Sequence, residues 1–212
     1  MFYGKYKHAR DVAWQVLIDN NVTSLPVKVT AIARAYGLSC ISYTQGKELI
    51  AGANLTHHAA TTDGFLLRQG QRGIIFYNDQ CSRQRCRFTV AHELGHWLLG
   101  HSLVNDTYTV VNREPCAEEN PEEQAANIFA SRLLAPACVL WALDIHTHEE
   151  IAELCDISIT SGQFRSQRMK ILYEREQEFL GLYGKSCFLL SPIERAVYQQ
   201  FAEFINQNLP KE

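Results

Sequence analysis

The chain has 212 residues, 46% of them apolar, enough for one large domain or two small ones with a proper core, which excludes a disordered or fibrous protein. Lys and Arg number 20 against 23 Asp and Glu, and a net charge of −3 is too balanced for a surface given over to nucleic acid. The longest apolar run, Leu133 to Leu143, contains Pro136 and falls short of the roughly 18 residues that cross a bilayer, while Lys5, Lys7, Arg10 and Asp11 stand where a signal peptide needs its apolar segment. The expectation is a cytoplasmic protein with no membrane partner.

Along the chain, His8 to Asn20 places Ala9, Val12, Ala13, Val16 and Leu17 at helical spacing, which predicts a first helix. Leu25 and Pro26 interrupt, and Val27 to Tyr36 predicts a second helix ended by Gly37. Leu38 to Thr44, Gly64 to Arg68 and Gly73 to Tyr77 are short runs of strand formers bounded by turn residues, which predict a small antiparallel sheet. Cys81 to Gly100 has apolar residues on nearly every side (Phe88, Val90, Ala91, Leu94, Trp97, Leu98) and predicts a buried helix. Asn120 followed by Pro121, Glu122 and Glu123 predicts a helix start, with the helix running to about Leu134. Beyond it, Thr147 to Cys155, Thr160 to about Leu180, and Ser191 to Leu209 are helical in pattern, the last opened by Ser191 and Glu194 in capping-box spacing. The fold class is therefore α+β, a small antiparallel sheet packed on the buried helix, followed by a helical C-terminal region.

The chemistry concentrates in that buried helix. His92, Glu93, Leu94, Gly95 and His96 form H-E-x-x-H, in which residues four apart share one helix face, so both imidazoles can address one metal ion while Glu93 reaches a water activated by it. Two histidines and a glutamate on an apolar helix carry heavy desolvation costs unless a charged group compensates them, and zinc does so. Gly95, at a cost of ~1 kcal/mol against alanine in mid-helix, answers a need for close approach by another backbone. A catalytic zinc needs a third protein ligand and an open position. Glu123 is the candidate, with Glu122 as its immediate rival and His101 ranked lower because the helix ends near Gly100. Asn127, one turn after Glu123, is spaced to hold a ligating imidazole from behind. Tyr108 and His101 are candidate oxyanion donors. Ile74 to Tyr77 is a candidate edge strand for an extended substrate, an ordinary core strand being as good a reading.

The segment Arg87 to His101, with the second motif Glu123 to Pro136, resembles the ImmA/IrrE family of zinc metallopeptidases. The likeness extends more weakly to the N-terminal helix pair, the strand before the motif helix and the helical tail. The resemblance implies His92, His96 and Glu123 as zinc ligands, Glu93 as the catalytic base, a zincin-like domain over residues 1–145 and a helix-turn-helix-like region over 146–212. Two positions depart from the family pattern, Ala125 where a Glu is often found and Ala135 before the proline. The implied activity is that of a zinc endopeptidase acting on a protein, a helix-turn-helix repressor of a phage, mobile element or stress response.

In the tail, Arg165, Arg168, Lys170 and Arg175 line one predicted helix, and Arg165 and Arg168 are the candidate contacts to a partner, protein or DNA. The alternatives to a peptidase are a DNA-binding regulator on the same scaffold and an antitoxin-like pseudoenzyme. Against the pseudoenzyme stands Glu93, a base that a structural zinc site does not need. The cysteines (Cys40, Cys81, Cys86, Cys116, Cys138, Cys155, Cys187) are odd in number and scattered, which predicts reduced thiols with no disulfide framework.

Overall fold

The computed structural model describes residues 6–69, 72–101, 109–110, 120–188 and 191–209. Its first half runs α1 (Lys7–Asp19), α2 (Val29–Ala35), β1 (Leu38–Ser42), α3 (Lys47–Gly52), α4 (Thr56–Thr61), β2 (Gly64–Gln69), β3 (Arg72–Tyr77), α5 (Arg83–Leu98), β4 (Thr109–Val110) and α6 (Pro121–Leu134). Then follow α7 (Ala137–Ala142), α8 (His148–Cys155), α9 (Ile159–Tyr183), α10 (Pro192–Gln200) and α11 (Ala202–Asn208). Contacts group these elements into two units, one of Met1–Val12 with Lys28–Ala130 and one of Ala13–Val27 with Ser131–Glu212, a division that falls inside α1 and α6.

In the first unit the strands lie in the order β1-β3-β2-β4. β2 and β3 pair antiparallel from Gly64 opposite Tyr77 to Gln69 opposite Arg72, and β2 pairs antiparallel with β4, but β1 runs parallel to β3. The sheet is therefore mixed and not purely antiparallel. Strand alternation in a sequence reports which face is buried and not which way a neighbour runs. The same order overturns the edge-strand reading of Ile74 to Tyr77, because β3 is flanked on both sides, by β1 and β2.

The register puts Phe65 opposite Phe76 and Leu67 opposite Ile74, on one face of the sheet. There they meet Ile50 of α3 and Leu55 and Ala59 beside and within α4. Leu66 and Ile75 alternate to the other face, where α5 packs against β2 and β3. Apolar residues at consecutive positions of β2 and β3 follow from cover on both faces. Each large side chain fully buried in this way contributes about 1.5–3 kcal/mol.

α5 starts at Ser82, whose hydroxyl accepts from the Arg85 amide, and no proline interrupts it. Residues Thr89 to His96 are all buried, which matches the all-round apolar pattern of the sequence. α6 starts where the Asn120 side chain accepts from the Glu122 amide at 3.0 Å.

The second unit is helical. α8 has a full capping box, the Thr147 hydroxyl accepting from the Glu150 amide while Glu150 accepts from the Thr147 amide. The box expected at Ser191 does not form: Ser191 makes no side-chain cap, Glu194 is buried, and the single predicted helix is two, divided at Phe201. A three-residue connection, with Asp156 left-handed at φ 50, joins α8 to α9. Gly162 of α9 lies against α8, where a Cβ would stand 2.5 Å from the His148 carbonyl oxygen.

Among the described residues one apolar helical stretch, Pro121–Ala142, is long enough to cross a membrane by length and composition, but most of it is buried within the fold. No disulfide joins the described cysteines, and burial pushes the Cys138 thiol well above its ordinary pKa.

Candidate metal centre

The centre forms where α5 and α6 approach each other. At Gly95 a Cβ would stand 2.9 Å from Phe129 Cδ1 and 3.3 Å from Ala126 Cα. This is the close backbone approach that a mid-helix glycine implied. One turn before Ala126, α6 carries Glu123 to the histidine pair of α5.

His92 and His96 are buried, 1% and 3% exposed, and the Glu123 side chain keeps 21% exposure. Their ligand atoms lie within 4.8 Å of one another. His92 Nε2 is 2.9 Å from His96 Nε2, and Glu123 oxygens stand 3.3 Å from His92 Nε2 and 3.1 Å from His96 Nε2. A tetrahedral ion with bonds of ~2.1 Å has ligand-to-ligand edges of ~3.4 Å, so two imidazole nitrogens and a carboxylate oxygen at these spacings fit one triangular face of such an ion. Burial alone would raise the Glu123 pKa, but hydrogen bonds and charge from His92 and His96 outweigh it and hold the carboxyl far below the usual range. The group is thus an anion ready to ligate. Glu122, the rival carboxylate, is not in the cluster.

Behind the ligand atoms, Asn127 Oδ1 lies 2.9 Å from His92 Nδ1. An amide oxygen only accepts, so His92 Nδ1 carries a proton toward Asn127, which leaves Nε2, on the Glu123 side, as the nitrogen that would ligate a metal. His101 Nδ1 lies 2.9 Å from His96 Nδ1, on the far side of that ring from Glu123. The structure therefore sets His101 behind His96, and not, through this nitrogen, at an oxyanion. Tyr108, the other oxyanion candidate, lies outside the described residues, as does Cys116. Glu93 is buried, 2% exposed, next to His92 on α5.

The tail residues come out differently. Arg165 is 1% exposed, and its Nε donates to the Ala135 carbonyl oxygen at 2.8 Å. Burial pulls its pKa down to about 10, which still leaves the guanidinium charged at neutral pH. It is a core residue closing the end of α6, and the partner-contact reading of Arg165 is corrected accordingly. The reason is visible in the periodicity: the buried face of α9 is Gly162, Arg165, Met169 and Glu176, residues that hydropathy assigns to solvent apart from Met169. Arg168 is half-buried. In the first turn of α5, Arg85 is paired with Asp63.

A buried pair of imidazoles and a carboxylate on a second helix form a cluster able to hold a metal ion, with the Glu93 carboxyl next to it on α5. The family model of the IrrE N-terminal-like domain, a peptidase family (M78), matches residues 50–165, more than half of the chain, and the protein belongs to that family. A comparison with curated proteins finds no match.

Proposed function

We propose that this protein is a zinc-dependent endopeptidase that hydrolyses a peptide bond of a protein substrate, a helix-turn-helix transcriptional repressor in phage, mobile-element or stress regulation. The observation that carries the reading is the convergence of His92, His96 and Glu123 at the spacings of one tetrahedral ion, in a chain of a peptidase family. Two imidazoles and a carboxylate are a donor set suited to zinc, with a fourth position left for solvent or substrate. Partial exposure of Glu123 leaves that side of the cluster reachable.

Zinc bound there would act as a Lewis acid and bring the pKa of its water toward ~7. Glu93, buried on the same helix, takes the proton of the attacking water and returns it to the leaving amine. Asn127 keeps the His92 ring in the tautomer that presents Nε2. Burial of both histidines excludes bulk water from their side of the reaction.

The alternative of a DNA-binding regulator loses its leading residue, because Arg165 faces the core. Co-expression with each repressor-like protein encoded beside its own gene tests the proposal. The wild type should yield a discrete cleavage product and Glu93→Gln none. Cleavage that survives in Glu93→Gln contradicts the mechanism.

A further inference from the structure

We infer that His101 is a positioning residue of the metal centre: the turn that ends α5 folds it onto His96 Nδ1 and so commits His96 to ligate through Nε2. The inference rests on the metal-binding reading above and goes beyond it to a residue outside the ligand set.

Leu99 closes α5, and Gly100 is left-handed at φ 67. The Gly100 amide donates to the Trp97 carbonyl at 3.4 Å and the His101 amide to the His96 carbonyl at 3.2 Å. This pair of bonds is a Schellman motif, in which the second residue past the cap returns over the last turn of the helix, and a side-chain contact between those two positions accompanies it. Here the two positions are His101 and His96, and the contact is polar: ring centroids 4.9 Å apart and interplanar angle 77°. Glycine at 100 is what the left-handed conformation asks for.

The chemistry follows from a count of protons. Ligation through His96 Nε2 leaves that ring's proton on Nδ1. A nitrogen 2.9 Å away, His101 Nδ1, is placed to accept it, and His101 then carries its own proton on Nε2. Asn127 does the same for His92 from α6. The two ligating rings are thus held from behind by two different elements, one amide and one imidazole. Partners of this kind fix ring orientation and raise ligand basicity.

The test is the zinc dissociation constant, measured by competition with a chromophoric chelator, for the full-length wild type, His101→Leu and His101→Asn. Thermal denaturation of each metal-free protein checks the fold. Leucine should weaken zinc binding about 10- to 100-fold. Asparagine, whose Oδ1 can stand where Nδ1 stood, should recover most of the loss. In zinc-loaded wild type, long-range proton–nitrogen spectra should show His101 unprotonated at Nδ1, a readout that needs no variant to fold. A dissociation constant within about twofold in His101→Leu, a loss that asparagine does not rescue, or a proton on His101 Nδ1 each overturns the inference. Wild-type protein that binds no zinc overturns the proposed function instead.

Discussion

Substituting Gly95 with alanine probes the contact that assembles the centre. Alanine gains up to ~1 kcal/mol of helix propensity over glycine in a helix interior. Against that, the new Cβ stands 2.9 Å from Phe129 Cδ1, 3.2 Å from its Cγ and 3.3 Å from Ala126 Cα. Phe129 is fully buried and cannot swing into solvent, and Ala126 Cα is backbone, so α5 and α6 must separate by a few tenths of an ångström. Overpacking of this kind costs about 1–3 kcal/mol, which leaves a net destabilisation of about 0–2 kcal/mol. Glu123 moves with α6, so zinc affinity should fall as well. Urea denaturation and chelator competition measure the two effects, with Gly181→Ala in α9 as control, where a Cβ meets nothing within 4 Å. The control should gain about 0.5–1 kcal/mol and leave zinc binding unchanged. A Gly95→Ala protein that gains as much stability as the control and binds zinc like the wild type refutes the reasoning.

Two further outcomes follow from single contacts. Asn127→Leu removes the acceptor behind His92 from an exposed position, and zinc affinity by chelator competition should drop about 10- to 100-fold with little change in melting temperature. Glu150→Ala removes half of the α8 capping box and should cost about 0.3–1.5 kcal/mol at neutral pH. The Thr147 hydroxyl and amide hold the Glu150 carboxyl below its ordinary range, so its contribution is present above the unfolded value of ~4.3 and is lost as pH falls through the folded one. Wild type and Glu150→Ala, compared by denaturant titration from pH 7 to pH 3, should therefore converge at the acid end.

The residues themselves show how far the sequence could be read. α5 was legible because its apolar residues leave no polar face, and the start of α6 because Asn120 and Pro121 are strong local signals. The placement of Glu123 beside the histidines was legible only from the motif resemblance, since spacing does not separate it from Glu122. Gly95 was the one local clue to the helix contact. Strand direction was not legible, because parallel pairing of β1 with β3 depends on the chain's route through α3 and α4, two short helices with weak signals. The core position of Arg165 was not legible, because a charged side chain on a basic helix reads as a surface contact to a partner, whereas its stem is buried and its Nε donates to a helix-end carbonyl. His101 lay in plain view after Gly100, and the cue was the glycine: a left-handed residue there turns the chain back over His96.

The most direct test of the account is zinc stoichiometry. Metal-free wild type, His96→Ala and Glu123→Ala are dialysed against the same low free-zinc buffer and assayed for metal per chain, with thermal melting to confirm each fold. The account predicts one zinc per wild-type chain and a large loss in both variants. Wild-type zinc content in either folded variant would contradict it.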